Sequence, residues 1–159
     1  MPYAYSSASL TQRATLHPHL REILDNVLIT DDHAIIEGVR SRENQLGAFH
    51  RGHSKVDPRV QAWPHMARAD GSSWAADVVP CIRGQRVATD AEHFGGHQMA
   101  QFAWFLRKVK DVSIRHFDTV KIINGERWRL RLGVDWDDDG EILTDQTFQD
   151  WFHIELVLG

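Results

Sequence analysis

The apolar residues of this chain fall into short, separate segments with two different spacings, and this pattern limits the fold more than any other feature. Strand-like apolar runs occupy these segments: 34–39, 74–80, 120–123, 126–132 and 151–157. Asn124-Gly125 joins two of them and is the strongest short signal for a hairpin. Because helical segments alternate with the strands, the order predicts an α+β fold, a small, mostly antiparallel sheet with helices packed on it.

Helical spacing covers three segments: 9–29, 40–50 and 91–111. Ser9 or Thr11 can cap the first of them. Pro18 is predicted to divide that segment into a short helical turn and a longer helix, because proline is best tolerated in the first turn of a helix.

Residues 51–73 contain Gly, Pro, Asp and Ser without periodicity and are predicted to form a long loop. Long loops without secondary structure in compact domains tend to be functional or disordered. The run Trp63-Pro64-His65-Met66 lies within this loop and favours the ordered, functional alternative.

The composition is that of a single globular domain. The chain of 159 residues is predicted to form one domain over 9–159 after a lead-in of 1–8. The formal net charge of −4 gives no indication of general nucleic-acid binding, and no apolar run approaches the roughly 18 residues of a membrane helix. Cys81 is the only cysteine, which excludes an internal disulfide and a cysteine-based zinc site.

Four polar residues occur in positions that suit a catalytic metal. Such zinc sites typically use three His, Asp or Glu ligands and keep one position open, with a carboxylate nearby to accept a proton. His65 lies in the long loop, His153 lies on the last strand, and Asp77 lies in an apolar strand where an unpaired carboxylate is costly. Asp150 precedes His153 by three residues and can lie beside it where the chain turns into the strand. Each signal is weak alone, since a lone histidine on an apolar strand is more often a core residue.

An acidic run near the C-terminus is the other feature that suggests a metal. Asp137-Asp138-Asp139-Gly140 looks like a calcium loop, but it lacks the alternation and the terminal glutamate of an EF-hand. We interpret it as a solvated turn.

Two segments in the first half of the chain resemble motifs of a known family. Ser9 to Leu20, with His17-Pro18, is similar to the first helix of its phage members. Glu37-Gly38-Val39-Arg40-Ser41 with Gln45 is similar to its Gly-x-Arg-[Ser/Thr] segment.

Three further segments follow in the same order. Ala75-x-Asp77 matches the end of a Ser-x-His-x-x-Gly-x-Ala-x-Asp motif, although the spacing from His65 is longer than usual and Ser73 stands where glycine is common. Gly133-Val134-Asp135-Trp136 resembles a Gly-Gly-Asp-Trp element, and Asp150 to Glu155 resembles an [Asp/Glu]-x-x-His-x-Glu ending. The family is that of the peptidoglycan zinc peptidases, with D-alanyl-D-alanine carboxypeptidases, vancomycin-resistance dipeptidases and L-alanyl-D-glutamate endopeptidases of phage endolysins.

The resemblance implies a role for each matching residue. One zinc ion would be held by His65, Asp77 and His153, with Asp150 as the base. Arg40 would bind substrate and stabilise the oxyanion, although a salt bridge to Glu37 or Glu43 is the structural alternative. The residues assigned to substrate binding are Gln45, Trp136 and Trp151.

The resemblance also implies a substrate, the stem peptides of bacterial peptidoglycan. The phage-like opening, the small size and the lack of a secretory signal or wall-binding domain favour a monomeric endolysin that cuts the L-alanyl-D-glutamate bond. It would be made in the host cytoplasm and would reach the wall after a partner permeabilises the membrane. The alternatives are a D-alanyl-D-alanine carboxypeptidase or dipeptidase and a non-catalytic zinc-binding relative; the intact Asp150-x-x-His153 pair argues against the last.

Overall fold

The computed structural model describes residues 3–90, 92–119, 127–135, 139 and 150–158. The elements in chain order are α1 (Ser7–Arg13), α2 (Pro18–Leu28), β1 (His33–Glu37), α3 (Arg42–His50), β2 (Ala75–Ile82), β3 (Gln85–Arg86), α4 (Gly96–Thr119), β4 (Trp128–Leu132) and β5 (His153–Leu158). Helices packed on one small sheet confirm the predicted α+β class.

The sheet is antiparallel and has the order β1-β2-β5-β4, with β3 paired to β2. Between Ile35 and Glu37 the register of β1 against β2 shifts, which places Glu37 opposite Asp77. On its other side Asp77 lies opposite His153 of β5. Bulges of this kind commonly re-aim a side chain beside a functional site. The register therefore aligns three ionisable residues across three neighbouring strands.

The core lies between the sheet and the apolar faces of α2 and α4, and burial of each of its large side chains stabilises the fold by about 1.5–3 kcal/mol before entropy is counted. Its buried members are Leu16, Leu20, Ile23, Leu24, Val27, Ile35, Ala76, Val78, Phe105, Leu106, Val109, Val112, Leu130, Leu132, Val134, Ile154 and Leu156. This cluster fixes the strands that carry the aligned residues.

The N-terminal helices differ in one respect from the prediction. Pro18 is the first residue of α2, as predicted, but the cap of α1 is Ser6, whose hydroxyl accepts from the amide of Ser9. The prediction of Ser9 or Thr11 as the cap was wrong, because the Ser9 hydroxyl is buried and accepts from the Ile35 amide at 3.1 Å. The helix thus begins within the predicted lead-in 1–8.

The central elements extend further than predicted. The second strand continues past Pro80 to Ile82. The hydrogen-bonded pairing of β2 with β5 ends at Asp77, so the missing N–H of Pro80 interrupts no bond between these two strands. The short strand β3 was not predicted; it follows a two-residue turn at Arg83 and Gly84, both with positive φ, typical of hairpins. Helix α4 runs beyond residue 111, because Val112 continues its buried face.

Several predicted features lie outside the described residues. They are the strand 120–123, the Asn124-Gly125 hairpin, most of the acidic turn and Trp136. Of the partner strand, β4 covers Trp128–Leu132. Among the helices of the described ranges, none has the length and apolar character needed to cross a bilayer.

Candidate functional site

The structure brings His65, Asp77 and His153 together in the interior of the protein. His65 Nε2 lies 3.1 Å from Asp77 Oδ1 and 3.1 Å from His153 Nδ1. His153 Nδ1 lies 3.4 Å from the same oxygen of Asp77. Only 3% of His65 and 3% of His153 is exposed, so both imidazoles are shielded from bulk solvent. Three potential ligand atoms thus form a nearly regular triangle.

This triangle fits a tetrahedral metal ion. With zinc–nitrogen and zinc–oxygen bonds of about 2.0–2.1 Å, two ligands of a tetrahedral ion lie about 3.3 Å apart. The observed separations of 3.1–3.4 Å agree with that spacing. Two imidazoles and one carboxylate are also the donor types that catalytic zinc sites use. His65, Asp77 and His153 could therefore hold a metal ion.

The segment that follows β1 holds His65 of the long loop in place. His65 Nδ1 lies 2.8 Å from the carbonyl oxygen of Gly38, to which it donates, so that Nε2 is left to face Asp77 and His153. The amide of Arg40 donates to the carbonyl oxygen of His65, and the indole of Trp63 donates to the carbonyl oxygen of Arg40. These bonds explain how a side chain from a segment without helix or strand is held beside Asp77 and His153.

A buried ion pair orients His153 from its other side. Glu155 Oε2 lies 3.6 Å from His153 Nε2, and Glu155 Oε1 accepts from Arg131 at 2.6 Å and 3.0 Å. Although burial alone would lower it, hydrogen bonds to Asp77 and Glu155 raise the pKa of His153 to about 10 in the metal-free protein. Metal binding must displace this proton. A carboxylate behind a ligating histidine is a common outer-shell arrangement that raises ligand basicity.

Asp77 divides its two oxygens between the triangle and Arg40. Oδ1 faces both histidines, whereas Oδ2 accepts from Arg40 Nη2 at 3.3 Å. Burial alone would raise the pKa of Asp77, but the charges and hydrogen bonds of His65 and His153 hold it well below its usual range. Asp77 is therefore a carboxylate that is ready to bind a cation.

Besides Asp77, the guanidinium of Arg40 contacts two side chains, those of Glu37 and Gln45. It donates from Nε to Glu37 Oε1 at 2.9 Å and from Nη2 to Glu37 Oε2 at 2.5 Å, so the structural alternative of a Glu37 salt bridge is present. Nη1 donates to Gln45 Oε1 at 2.9 Å, and the Gln45 amide nitrogen donates to Ser54 and to the carbonyl oxygen of Val56. Gln45 is buried, which makes it a support for Arg40 in this structure.

Asp150 lies at the start of the turn that leads into β5. Its Oδ1 accepts from the amide of Phe152 at 3.2 Å. Burial first, and then the negative charge of Asp77, raises the pKa of Asp150 above its usual range. A carboxyl group with a raised pKa close to a metal site can both accept and return a proton.

Gly133 connects the turn that carries Asp150 with β5. Its amide donates to the carbonyl oxygen of His153, and its carbonyl oxygen accepts from the amide of Asp150, both at 2.8 Å. A Cβ atom built at Gly133 would overlap the carbonyl oxygen of Asp150 and lie 2.9 Å from the Cβ atoms of both Asp150 and His153. The close approach of these three backbone segments requires glycine here.

Replacing Gly133 with alanine is expected to destabilise the protein by about 1–3 kcal/mol and to displace Asp150 from His153. Urea unfolding measures the first effect and turnover measures the second. Gly96→Ala is the matched control, because a Cβ there meets nothing within 4 Å. Equal unfolding midpoints for the two variants would contradict the tight packing described here.

An open cleft of about 220 Å³ adjoins Asp77. Apolar and polar side chains line it: Ile36, Val79, Arg86, Val87, Thr89 and Phe152. None of these wall residues was predicted, since they come from β1, β2, β3, the segment after β3 and the turn before β5 and have no common motif. Of the residues assigned to substrate binding, Trp151 is half-buried against Phe94 and the core, and Trp136 lies outside the described residues.

The chain matches a family model described as phage L-alanyl-D-glutamate peptidase over residues 1–157. Among solved structures, it is similar to the Serratia marcescens L-Ala D-Glu endopeptidase ChiX, with a TM-score of 0.63 and 18% sequence identity. That alignment covers 97% of this chain and 90% of ChiX, and it shows a shared fold. A search of curated proteins found no match.

Proposed function

Because the chain belongs to the phage L-alanyl-D-glutamate peptidase family, we propose that it is an endolysin that hydrolyses this bond in peptidoglycan stem peptides with the help of one zinc ion. The observation that carries the zinc dependence is the buried triangle of His65 Nε2, Asp77 Oδ1 and His153 Nδ1, with sides of 3.1–3.4 Å. This spacing and the set of donor atoms suit a tetrahedral ion.

Asp150 is the proposed general base and acid. When bound to His65, Asp77 and His153, zinc would supply a Lewis acid that polarises the scissile carbonyl and makes water more acidic. Asp150 removes a proton from the attacking water and returns it to the nitrogen of the leaving amine. Its raised pKa suits both transfers, because a weakly basic carboxylate of ordinary pKa would hold the proton too loosely.

Arg40 has two proposed roles at this site. Its contact with Asp77 Oδ2 fixes the rotation of the carboxylate, so that Oδ1 faces the histidines. Its permanent charge would also stabilise the negative charge that develops during attack on the carbonyl. Glu37 and Gln45 hold the guanidinium in plane and thereby support both roles.

The cleft beside Asp77 is the proposed binding site for the stem peptide. Its apolar wall suits the short side chains of such a peptide, and Arg86 adds a positive charge. D-glutamate in an L-alanyl-D-glutamate linkage carries a carboxylate that such a cation can bind. Arg86 is therefore a candidate for recognition of the substrate.

The proposed reaction is tested by separating the products that the purified protein releases from muropeptides. Cleavage of the L-alanyl-D-glutamate bond leaves L-alanine on the sugar and frees a peptide that begins with D-glutamate. Release of D-alanine alone would instead identify a D-alanyl-D-alanine carboxypeptidase, and no release would indicate a non-catalytic relative. Dialysis against a chelator should abolish turnover and added Zn²⁺ should restore it.

Replacing Glu155 with glutamine is expected to weaken zinc binding by about 10–100-fold, the usual effect of losing a carboxylate behind a ligating histidine. Although burial alone would raise it, hydrogen bonds from His153 and Arg131 hold the pKa of Glu155 below its usual range, so the side chain is ionised at neutral pH. Competition with a chromogenic chelator measures the change. Glu43→Gln, at an exposed position of α3, should bind zinc as the wild type does, and an unaltered affinity in Glu155→Gln would remove this support role.

A further inference from the structure

A second group of metal-ligating side chains lies where α2 meets α4, and it shares no residue with the site described above. His19 Nδ1 lies 2.7 Å from His116 Nε2. Glu22 is one helical turn beyond His19 on α2, and a ligand atom from each of the three residues lies within 4.8 Å of the other two. Glu22 Oε2 is also 3.7 Å from His116 Nδ1.

The backbone positions of this cluster are set by the hydrophobic core. His19 is in the first turn of α2, and His116 is near the end of α4. Leu20, Ile23 and Leu24 of α2 and Leu106, Val109 and Val112 of α4 are all buried in the same core cluster. The two helices therefore present the cluster without any further movement of the chain.

Neighbouring rings restrict the two imidazoles. His17 stacks on His19 with centroids 5.3 Å apart and an interplanar angle of 23°, and Phe117 contacts both His19 and His116. The His17 side chain also accepts from the amide of His19, which caps α2. Ring orientation is thus limited before any ligand binds, which reduces the entropy lost on binding.

The protonation state of the cluster suits a metal. Burial and the neighbouring His19 lower the pKa of His116, so that it is neutral at pH 7 and has a free electron pair on one nitrogen. Two imidazoles and a carboxylate are ligands for zinc and similar divalent ions. His19 is half-buried and only 9% of the His116 side chain is exposed, but Glu22 is exposed, so water can reach the site from the Glu22 side to complete the coordination.

We propose that His19, Glu22 and His116 form a second site for a divalent transition-metal ion such as Zn²⁺, which clamps the start of α2 to the end of α4. The contact between the two nitrogens at 2.7 Å is the metal-free state, in which one imidazole donates to the other. Binding requires these two nitrogens to separate to about 3.3 Å. It also requires the Glu22 carboxylate, which lies near His116 Nδ1 in the metal-free state, to turn toward Nε2. The role of this ion is structural.

The test counts the zinc bound at equilibrium by the wild type and by His116→Ala and Glu22→Gln, using dialysis against excess Zn²⁺ and metal analysis. Each variant should bind one equivalent less than the wild type, or at least about tenfold more weakly at one site. His97→Ala is the matched control, because this exposed histidine is on the same helix and, within the described part of the chain, belongs to no candidate metal-binding group.

The difference in bound zinc between each variant and the wild type reports on this site alone and not on the catalytic site. If the catalytic zinc proposal failed, the wild type would bind one equivalent and His116→Ala none, and the difference of one would remain. Glu22→Gln decides the matter if His116→Ala does not fold, because Glu22 is exposed and its exchange leaves the core intact. Equal equivalents and equal affinities in the wild type and in Glu22→Gln would overturn the proposal.

Discussion

Replacement of Asp150 by asparagine is expected to reduce turnover by about 10²–10⁴-fold and to leave zinc binding unchanged. Asparagine retains the oxygen that accepts from the Phe152 amide, so the turn into β5 keeps its hydrogen bond. It cannot accept a proton from water at neutral pH. The variant therefore removes one chemical property of the side chain and keeps its size and its structural contact.

Turnover of muropeptides and the bound-metal content, measured on the same preparation, check this prediction. Asp70→Asn is the matched control, because Asp70 also accepts from the amide two residues later but lies on the exposed surface of the loop. Full activity in Asp150→Asn would exclude Asp150 as the base. A loss of zinc together with activity would instead assign Asp150 to metal binding.

Replacement of His153 by alanine is expected to weaken zinc binding by more than about 100-fold, beyond the 10–100-fold loss typical of an outer-shell change. The variant loses one corner of the triangle, and the histidine nitrogen that faces Asp77 and His65 has no substitute in the alanine side chain. Turnover should fall to background at zinc concentrations that saturate the wild type.

Metal analysis and a zinc titration of activity measure this effect. His50→Ala is the control for the loss of a histidine from the surface, since His50 is exposed at the end of α3. Circular dichroism shows whether the variant remains folded. A folded His153→Ala protein that still binds zinc as tightly as the wild type at the catalytic triangle would refute this ligand assignment.

The secondary structure was largely predictable because most segments are long enough to show their period. The helical face of α4 and the apolar strand around Val78 and Val79 are of this kind. The short strand β3 was missed because two residues cannot show a period, although Arg83-Gly84 was an available turn signal. The cap of α1 was placed incorrectly because Ser6 and Ser9 have the same local chemistry, and only the contact of Ser9 with Ile35 separates them.

The members of the site could be proposed from the sequence, but their arrangement could not. His65 was found by its place in an unusual loop, and Asp77 by its position in an apolar strand. Asp77 lies opposite His153, and a register shift between Ile35 and Glu37 brings Glu37 into the same row across three strands. Register is a property of paired strands and is not visible in one of them.

The supporting residues were harder to foresee than the ligands. The Gly38 carbonyl behind His65 and the Arg131 guanidinium behind Glu155 act through atoms that no motif identifies. Arg131 lies directly opposite Glu155 in the pairing of β4 with β5, so knowledge of the register would have predicted this ion pair.

Diffraction from crystals of the zinc-loaded wild type at the zinc absorption edge would locate the ion. We expect an anomalous peak within about 2.0–2.2 Å of His65 Nε2, Asp77 Oδ1 and His153 Nδ1 together. A fully loaded, active crystal with no anomalous peak at these three atoms would contradict this expectation.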